Sequence, residues 1–363
     1  SGTVIQSYYM VIAGWSLRSF GQCLAWSMEG YAAPSDGDFS AFLANGPLQV
    51  GLTLLFTLLT AIIVYRGIGG GIEKATKVLM PVLLAILLYL VLTTLTMDGR
   101  NEAFEKMFVP HFSQLSDQGF LEALGHAFFS LSLGLGAMIA YGSYLDKKES
   151  IFKSAVWVVV LDTVVALLAA LAMFTIILSV PRLHDHVSGS TVGMLFITLP
   201  DLFYTEMPGG SLLGPLFFIL VAFAALSSTI SLGEVGTSLL IDFGGWRRSR
   251  ATITMTSAVF LGSILSALSL GAYAPLSSFS FFEGKEGVFA TLDHLAANWM
   301  LPIGGFLITL FVGWRLGKKY CMDAFNLEKP NLAFWVWLWI IRIIAPAAIL
   351  ILIINVIMGK DFS

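Results

Sequence analysis

The chain has 363 residues, of which 57% are hydrophobic and only 12% are charged, and its formal net charge is −3. Soluble domains contain roughly 45–50% apolar and about 25% charged residues. This composition, with a mean hydropathy of +0.83, therefore excludes a soluble, a disordered or a nucleic-acid-binding protein. Continuous apolar runs of about twenty residues predict membrane-spanning helices. They exclude an outer-membrane barrel, whose strands alternate polar and apolar residues.

Nine apolar segments are long enough to cross about 30 Å of hydrocarbon as helices, at about 1.5 Å per residue. They are predicted at residues 4–23, 48–65, 76–97, 121–144, 155–180, 211–241, 251–270, 297–316 and 333–358. The shorter apolar stretch 191–199, between Pro181 and Pro208, is predicted to be a loop folded back on the protein. The chain is therefore predicted to be an all-α polytopic protein of the lipid bilayer.

The positions of Lys and Arg predict the orientation, because cytoplasmic loops carry an excess of both. Alternate loops, taken with their edges, hold 13 basic residues, whereas the loops on the other side hold 5. The richer set comprises loops 66–75, 145–154, 242–250 and 317–332. We therefore expect these loops to be cytoplasmic and the C-terminus to lie outside, in a multi-pass protein of the inner or plasma membrane.

The chain begins at Ser1 rather than at a methionine, and the first span starts almost at once. No charged region of the kind that opens a signal peptide precedes it. We expect the sequence to be an N-terminally truncated piece of a longer protein.

Two serines and two glycines interrupt the span 121–144, in the stretch Ser130-Leu131-Ser132-Leu133-Gly134-Leu135-Gly136. Glycine and serine weaken a helix, and secondary transporters build substrate and ion sites from helices that are unwound at mid-membrane. Small residues also allow two helices to cross closely. Glycine spacing alone favours neither interpretation.

A small, polar stripe follows one face of the span 211–241, where Ala224, Ser227, Ser228 and Ser231 have the helical spacing i, i+3, i+4, i+7. Hydroxyl and carbonyl oxygens on one face suit a hard cation such as Na⁺, by analogy with other hard ions. Serines also hydrogen-bond between neighbouring membrane helices, and this second interpretation is the more common one.

Two carboxylates, Asp162 and Glu234, lie within predicted spans. A carboxylate is costly there unless it is paired or hydrated, which makes each a candidate functional residue. Asp162 alternatively forms a structural hydrogen bond to a serine of a neighbouring helix. Glu234 lies near the cytoplasmic end of its span, so a snorkelling or gate role fits it as well as a ligand role.

Two other polar features fit more than one role. Tyr8 and Tyr9 open the first span, where aromatic residues commonly belong to the interfacial belt. A histidine such as His126 can carry protons, but more often it is simply a satisfied hydrogen-bonding group. The sequence leaves the role of His126 open.

Six stretches, in order along nearly the whole chain, resemble the neurotransmitter:sodium symporter family of Na⁺-coupled amino-acid transporters, which have the LeuT-type fold with broken helices. They are residues 8–15 (YYMVIAGW), 66–74 followed by Met80-Pro81, 128–136 (FFSLSLGLG), 141–144 (YGSY), 196–200 (FITLP) and 224–231 (AALSSTIS). The stretch 128–136 is the most specific of the six.

The resemblance implies that the nine spans are family helices three to eleven of an inverted-repeat bundle. Residues 1–120 would be an incomplete first repeat of three spans, 121–316 the complete second repeat of five, and 317–363 one further span. Helices one and two would be missing. Because the first helix of this family supplies half of each ion site, we expect the piece alone to be inactive. The chain ends after the span that corresponds to helix eleven, and in this it is similar to the eleven-helix bacterial members of the family.

The resemblance also implies one substrate site and two Na⁺ sites. Tyr9 would hold the substrate carboxylate and close a lid with Phe129, and the side-chain pocket would be lined by Ile5, Phe129, Ser132, Leu135 and Leu232. One Na⁺ would be bound by Ser130 and Asp162. The other would be bound by the carbonyl of Ala224 and the hydroxyls of Ser227 and Ser228.

The implied gates are acidic. Asp293 would be the outer-gate acid, and Asp242 with Tyr144 would form the inner gate. Many relatives have Asn at the position of Asp162, so its carboxylate could strengthen Na⁺ binding or replace the chloride that some relatives need. Thr is frequent at the position of Ser227, and Gln is common at that of His126.

The favoured function is a symporter that carries neutral, mostly apolar amino acids with Na⁺ by alternating access. Leu135 and Leu232 make the implied pocket apolar, and no acid or base in it would pair with a charged substrate side chain. The alternatives are a non-transporting membrane receptor and an intramembrane enzyme. An enzyme would need a nucleophile–base pair. The sequence does not show such a pair, so we expect the protein not to be an enzyme. The sequence leaves open which amino acid is carried, the Na⁺ stoichiometry, coupling to chloride or protons, and the oligomeric state.

Overall fold

The computed structural model of the chain describes residues 1–34, 37–110, 116–146, 149–179, 193–207 and 209–360. Most of these residues are helical. In chain order the α-helices are α1 (Gly2–Glu29), α2 (Asp38–Ala44), α3 (Gly46–Tyr65), α4 (Glu73–Thr94), α5 (Arg100–Phe108), α6 (Asp117–Ser130), α7 (Ala137–Ser143), α8 (Ile151–Ser179), α9 (Leu199–Thr205), α10 (Gly210–Asp242), α11 (Arg248–Leu268), α12 (Ala274–Ser277), α13 (Gly287–His294), α14 (Leu301–Leu310), α15 (Lys318–Ala324), α16 (Leu332–Trp339) and α17 (Ala345–Ile357).

Short π-helical segments extend or join several of these helices: Ile68–Ile72 before α4, Met194–Thr198 before α9, Leu295–Met300 between α13 and α14, Phe311–Arg315 after α14, and Ile340–Ile344 between α16 and α17. An antiparallel hairpin, β1 (Ser280–Phe282) and β2 (Lys285–Glu286), precedes α13. The joined segments therefore form continuous helices that are longer than the single α-helices.

Seven continuous helices in the described part of the chain are long and apolar enough to cross a membrane: Gly46–Tyr65, Ile68–Thr94, Ile151–Ser179, Gly210–Asp242, Arg248–Leu268, Gly287–Arg315 and Leu332–Ile357. Each overlaps one of the nine predicted spans. Some begin earlier than predicted, because a helix end that contains polar residues does not stand out as apolar in the sequence.

The two other predicted spans are also helical, but neither is among these seven continuous apolar helices. The predicted span 4–23 lies within α1, which has 28 residues but carries buried polar side chains such as Gln6, Ser16 and Ser19. The predicted span 121–144 is divided into α6 and α7 by a non-helical stretch. Both predicted spans contribute polar groups to the interior of the protein, which explains why neither span is uniformly apolar.

The stretch 191–199 is a helix rather than the predicted loop where the structure describes it. Residues 191 and 192, Pro181 and Pro208 lie outside the described residues. The π-helical segment and α9 follow, and Leu199, Leu202 and Phe203 are buried. A helix pairs its own backbone N–H and C=O groups, whereas an irregular loop in an apolar setting leaves them unpaired.

Helix α1 packs most extensively against α10, and also against α3 and α11. The Trp15 indole donates a hydrogen bond to Oε1 of Gln49 on α3 at 2.7 Å. Nε2 of Gln6 donates to the carbonyl of Thr229 on α10 at 3.1 Å. Because unpaired polar groups are costly in the interior, these bonds fix the position of α1 relative to its two neighbours.

The segment after α1 is anchored to α9 through Tyr31. Its hydroxyl donates a hydrogen bond to Oδ1 of Asp201, and its ring stacks on Tyr204 with centroids 5.3 Å apart. Burial, together with the neighbouring carboxylate, raises the pKa of Tyr31. The hydroxyl therefore stays protonated near neutral pH and remains a hydrogen-bond donor.

Candidate functional site

The site is organised by the break between α6 and α7. Gly134 and Gly136 have φ angles of 74° and 88°, and Ser132 has a φ of 55°. A Cβ atom on Gly134 would lie 2.3 Å from the carbonyl oxygen of Leu301 on α14. Only glycine fits there, because both the left-handed backbone and the close approach exclude a side chain. The helix is therefore broken, as one interpretation predicted, and it also lies close to another helix, as the alternative predicted.

A cavity of about 930 Å³ lies beside this break. It collects residues from α1, the π-helical segment before α4, α4, α6, α7, α8, α10 and the break itself. All six predicted substrate residues line it, namely Ile5, Tyr9, Phe129, Ser132, Leu135 and Leu232. Four of the five predicted Na⁺ ligands also line it, namely Ser130, Asp162, Ser227 and Ser228. The fold thus brings together residues that are more than 200 positions apart in the sequence.

One oxygen-rich corner of the cavity joins α6 to α8. The Ser130 hydroxyl donates a hydrogen bond to Oδ2 of Asp162 at 2.6 Å. This is the contact to a serine that the structural interpretation of Asp162 predicted, and both groups face the cavity. A carboxylate with one hydroxyl beside it keeps further lone pairs that can accept from a ligand or coordinate a cation.

A second oxygen-rich corner lies along α10. The hydroxyls of Ser227 and Ser228 donate to the carbonyl of Ala224 at 2.8 and 3.2 Å. Because each proton points to the backbone, the lone pairs of both hydroxyls remain available. Ala224 does not line the cavity itself, but its carbonyl holds both serines in place. Ser228 also lies within reach of the Tyr9 hydroxyl.

Ser231 continues this row but is engaged differently. It donates to the carbonyl of Ser227 at 3.0 Å and accepts a hydrogen bond from Tyr141 at 2.6 Å. The Tyr141 bond connects α7 to α10 across the cavity wall. Part of the stripe therefore joins helices, as one interpretation predicted, and part of it presents oxygen atoms to the cavity.

A buried ion pair lies between α10 and α11. Glu234 has no solvent exposure, and Arg248 reaches it with Nη1 at 3.1 Å from Oε1 and with Nη2 in contact with Oε2. The Tyr144 hydroxyl donates to the same carboxylate at 2.7 Å. Nε and Nη2 of Arg248 also donate to the carbonyl of Val64 at 3.0 and 2.9 Å. These contacts link α3, the end of α7, α10 and α11.

This arrangement differs from the expected inner gate. Tyr144 was expected to act with Asp242, the last residue of α10, but its hydroxyl is bonded to Glu234. Of these three residues, only Tyr144 lines the cavity. The sequence offered one signal for Glu234, a carboxylate inside a span, but it did not identify Arg248 as the partner.

The remaining candidates lie away from the cavity. Asp293, in the last turn of α13, lies near Tyr8 and Lys285 rather than among the lining residues. His126 is exposed on α6 and does not line the cavity.

The sequence analysis did not single out two charged lining residues of α4, Glu73 and Lys77. Their side chains pair with each other at 2.6 Å. Their i, i+4 spacing predicts such a pair on a helix, but nothing in the sequence places it at the cavity.

Comparisons with known proteins show the family of the chain. The family model described as "Sodium:neurotransmitter symporter family" matches residues 39–361. A sodium-dependent transporter of Bacillus subtilis, YhdH, is 33% identical over 98% of this chain and 77% of its own length. A sodium-dependent transporter of Methanocaldococcus jannaschii is 29% identical over 95% of this chain and 70% of its own length.

A solved structure matches as well. The crystal structure of MhsT in complex with L-phenylalanine has a TM-score of 0.84 and 36% sequence identity, and the match covers 97% of this chain and 78% of that chain. The chain therefore belongs to the sodium:neurotransmitter symporter family. The predicted family and the predicted LeuT-type all-α fold are confirmed, and the chain is a membrane transporter of a sodium-dependent family rather than an enzyme.

Proposed function

We propose that the chain carries neutral, mostly apolar amino acids across the membrane together with Na⁺, by alternating access. One observation supports this most strongly. The 930 Å³ cavity combines an unwound helix, two oxygen-rich corners and an apolar wall. Broken helices at mid-membrane supply backbone groups for a substrate and an ion at the same place.

The apolar wall supports the choice of substrate class. Ile5, Leu135 and Leu232 are buried and line the cavity beside Phe129. We propose that Tyr9 binds the substrate carboxylate and that Phe129 covers the bound amino acid. MhsT, which has been crystallised with L-phenylalanine, supports a substrate with a large apolar side chain.

The charged groups of the cavity support a neutral substrate. Glu73 and Lys77 pair with each other, and the carboxylate of Asp162 is assigned to Na⁺ in this proposal. A substrate with a charged side chain would have to lose its hydration without gaining a counter-ion in return, which is costly.

The two oxygen-rich corners are proposed to be the Na⁺ sites. One consists of Ser130 and Asp162, and the other consists of Ser227, Ser228 and the carbonyl of Ala224. Hydroxyl, carbonyl and carboxylate oxygens are the ligands of hard cations. In the described residues no group of three or more His, Cys, Asp or Glu side chains is placed to hold a metal ion.

We propose that the Glu234 ion pair with Arg248 and Tyr144 is the inner gate. The excess of Lys and Arg in the adjoining loops supports a cytoplasmic position for it, and hence an outer C-terminus. Asp293 beside Tyr8 is proposed as the outer gate. Asp242 stays a prediction as a further inner-gate acid.

The test is uptake of radiolabelled L-phenylalanine into proteoliposomes that contain the complete polypeptide encoded by the gene. An inward Na⁺ gradient should drive accumulation, and replacing Na⁺ by K⁺ should abolish it. Unlabelled leucine should compete, whereas glutamate and lysine should not. Replacing chloride by gluconate in the same assay decides whether chloride is required.

Binding without accumulation would support the receptor alternative and contradict the proposed transport. Strong competition by glutamate or lysine would contradict the proposed substrate class but leave Na⁺-driven transport intact.

A further inference from the structure

Three tryptophan side chains are exposed where one span ends and the next begins. Trp314, in the last turn of one span, is 67% exposed, and Trp335 and Trp339, in the first turns of the next, are 40% and 62% exposed. With Lys318 and Arg342 they form a surface that we call the tryptophan–arginine face. Neither the substrate cavity nor the gates use any of these residues.

Arg342 is placed unusually deep for a cation. It lies about ten residues beyond Leu332, or about 15 Å along the helix axis. Its Nε donates to the carbonyl of Gly313 at 2.6 Å, and its Cζ lies 5.8 Å from the centroid of the Trp314 ring. Nε accounts for one of the five N–H donors of a guanidinium. Within the described chain, Nη1 and Nη2 donate to no other residue.

The direction of this side chain explains how the span tolerates the charge. Side chains of a helix tilt toward its N-terminus, so Arg342 extends back toward Trp339 and Trp335. The spacing i, i+4, i+7 puts the three residues on one face. Long basic side chains reach the membrane surface from within a span in this way. The guanidinium is therefore directed toward the headgroup region rather than the middle of the bilayer.

Neighbouring cations add to the charge of the face. Lys318 Nζ lies 4.9 Å from the centroid of the Trp335 ring. Arg315 and Lys319 are exposed beside it in the chain. No described acid forms an ion pair with any of these cations. The positive charge is therefore available to a partner outside the chain.

We propose that the tryptophan–arginine face binds the headgroup of an anionic phospholipid. Its phosphate accepts hydrogen bonds from Nη1 and Nη2 of Arg342 and from Lys318. Tryptophan rings lie at the depth of the headgroups in membrane proteins, with the apolar ring toward the acyl chains. Basic pockets between membrane helices are a recognised setting for such lipids. Three exposed indole rings favour a lipid over a water-soluble phosphate, because they need an apolar partner as well as an anion.

The test uses native mass spectrometry of the complete polypeptide, purified and supplied with equal amounts of phosphatidylglycerol and phosphatidylcholine. One basic residue near the membrane surface favours an anionic lipid by about fivefold, so the wild type should retain phosphatidylglycerol in clear preference. Trp314→Leu with Lys318→Gln should remove most of that preference. Both side chains are exposed, so this variant should fold. Lys74→Gln, which removes an exposed charge from the first turn of α4, is the matched control.

Arg342→Gln should abolish the preference, and Arg342→Lys should restore part of it. Equal retention of both lipids by the wild type, or an unchanged preference in the double variant, would overturn the proposal. Displacement of the lipid by millimolar inorganic phosphate would also overturn it, since a free anion would then suffice. So would a dimer that the double variant dissociates, because a second copy of the chain would then cover the face.

Discussion

The row of hydroxyls on α10 allows a sharp test of the Na⁺ site. We expect Ser227→Ala and Ser228→Ala each to weaken Na⁺ binding, whereas Ser231→Ala should not. All three residues line the same cavity on the same helix. They differ in that the Ser231 oxygen already accepts a hydrogen bond from Tyr141. The comparison therefore separates loss of a cation ligand from loss of a serine.

The size of the effect follows from the hydrogen bonds. Ser227 and Ser228 both direct their protons to the carbonyl of Ala224, so each presents oxygen lone pairs to a cation. Ser227 is half-buried and Ser228 is exposed, so the loss of about 1–3 kcal/mol that follows removal of one partner of a buried polar contact applies once the bound ligands exclude water. Since about 1.4 kcal/mol corresponds to a tenfold change in an equilibrium constant, the half-saturating Na⁺ concentration should rise between about fivefold and about a hundredfold.

The assay is Na⁺-dependent binding of radiolabelled L-phenylalanine to the purified complete polypeptide, titrated with NaCl at constant ionic strength. Thermal unfolding of each variant without Na⁺ serves as the folding control. The reasoning is refuted if both variants titrate like the wild type, because the stripe would then only join helices. It is also refuted if Ser231→Ala shifts the titration as far as the other two.

Three further predictions concern the lid, the break and the inner gate. Phe129→Ala should weaken L-phenylalanine binding, measured by competition, because the ring lines the cavity and is proposed to cover the substrate, and Phe129→Tyr should preserve it. Gly134→Ala should lower the thermal unfolding midpoint, since the left-handed backbone alone costs about 1–2 kcal/mol and the new Cβ would meet the Leu301 carbonyl. Gly142→Ala, which meets nothing within 4 Å, should not lower it. Glu234→Gln should reduce Na⁺-driven uptake strongly, because it leaves the partly buried guanidinium of Arg248 without a counter-ion; Glu102→Gln, in an exposed ion pair, should not.

Each of the nine predicted spans overlaps helical structure, but where the helices begin could not be predicted from the sequence. The helix Gly287–Arg315 begins ahead of the predicted 297, because its first turns contain Thr291, Asp293 and His294. Thr291 and His294 are buried by the rest of the protein. Hydropathy measures transfer into lipid, so it misses residues that are buried against protein instead.

The site was predictable in part from chemistry and in part only from resemblance. Glycines and serines that interrupt apolar runs made the break and the α10 stripe candidates without any relative, although they left the alternative of close helix packing open. Ile5 and Leu232 could not be found in this way. An apolar residue that faces a cavity and one that faces lipid look alike in a sequence, and only the fold distinguishes them.

The partner of Glu234 could have been predicted from the cost of burying its carboxylate. A fully buried carboxylate in a span requires a partner, because an unpaired charge there is expensive. Asp242 lies at the end of α10, where water can solvate it, so it requires none. Glu234 is therefore the acid that requires a cationic partner, and the nearest cations in the sequence follow the turn after α10. The side chain of Arg248, the first residue of α11, reaches back along α10 to Glu234. A lysine at this position would make only a single contact with the carboxylate, because it lacks the fork of a guanidinium. The demand for a partner, rather than the spacing of acids along the helix, identifies the Glu234–Arg248 pair.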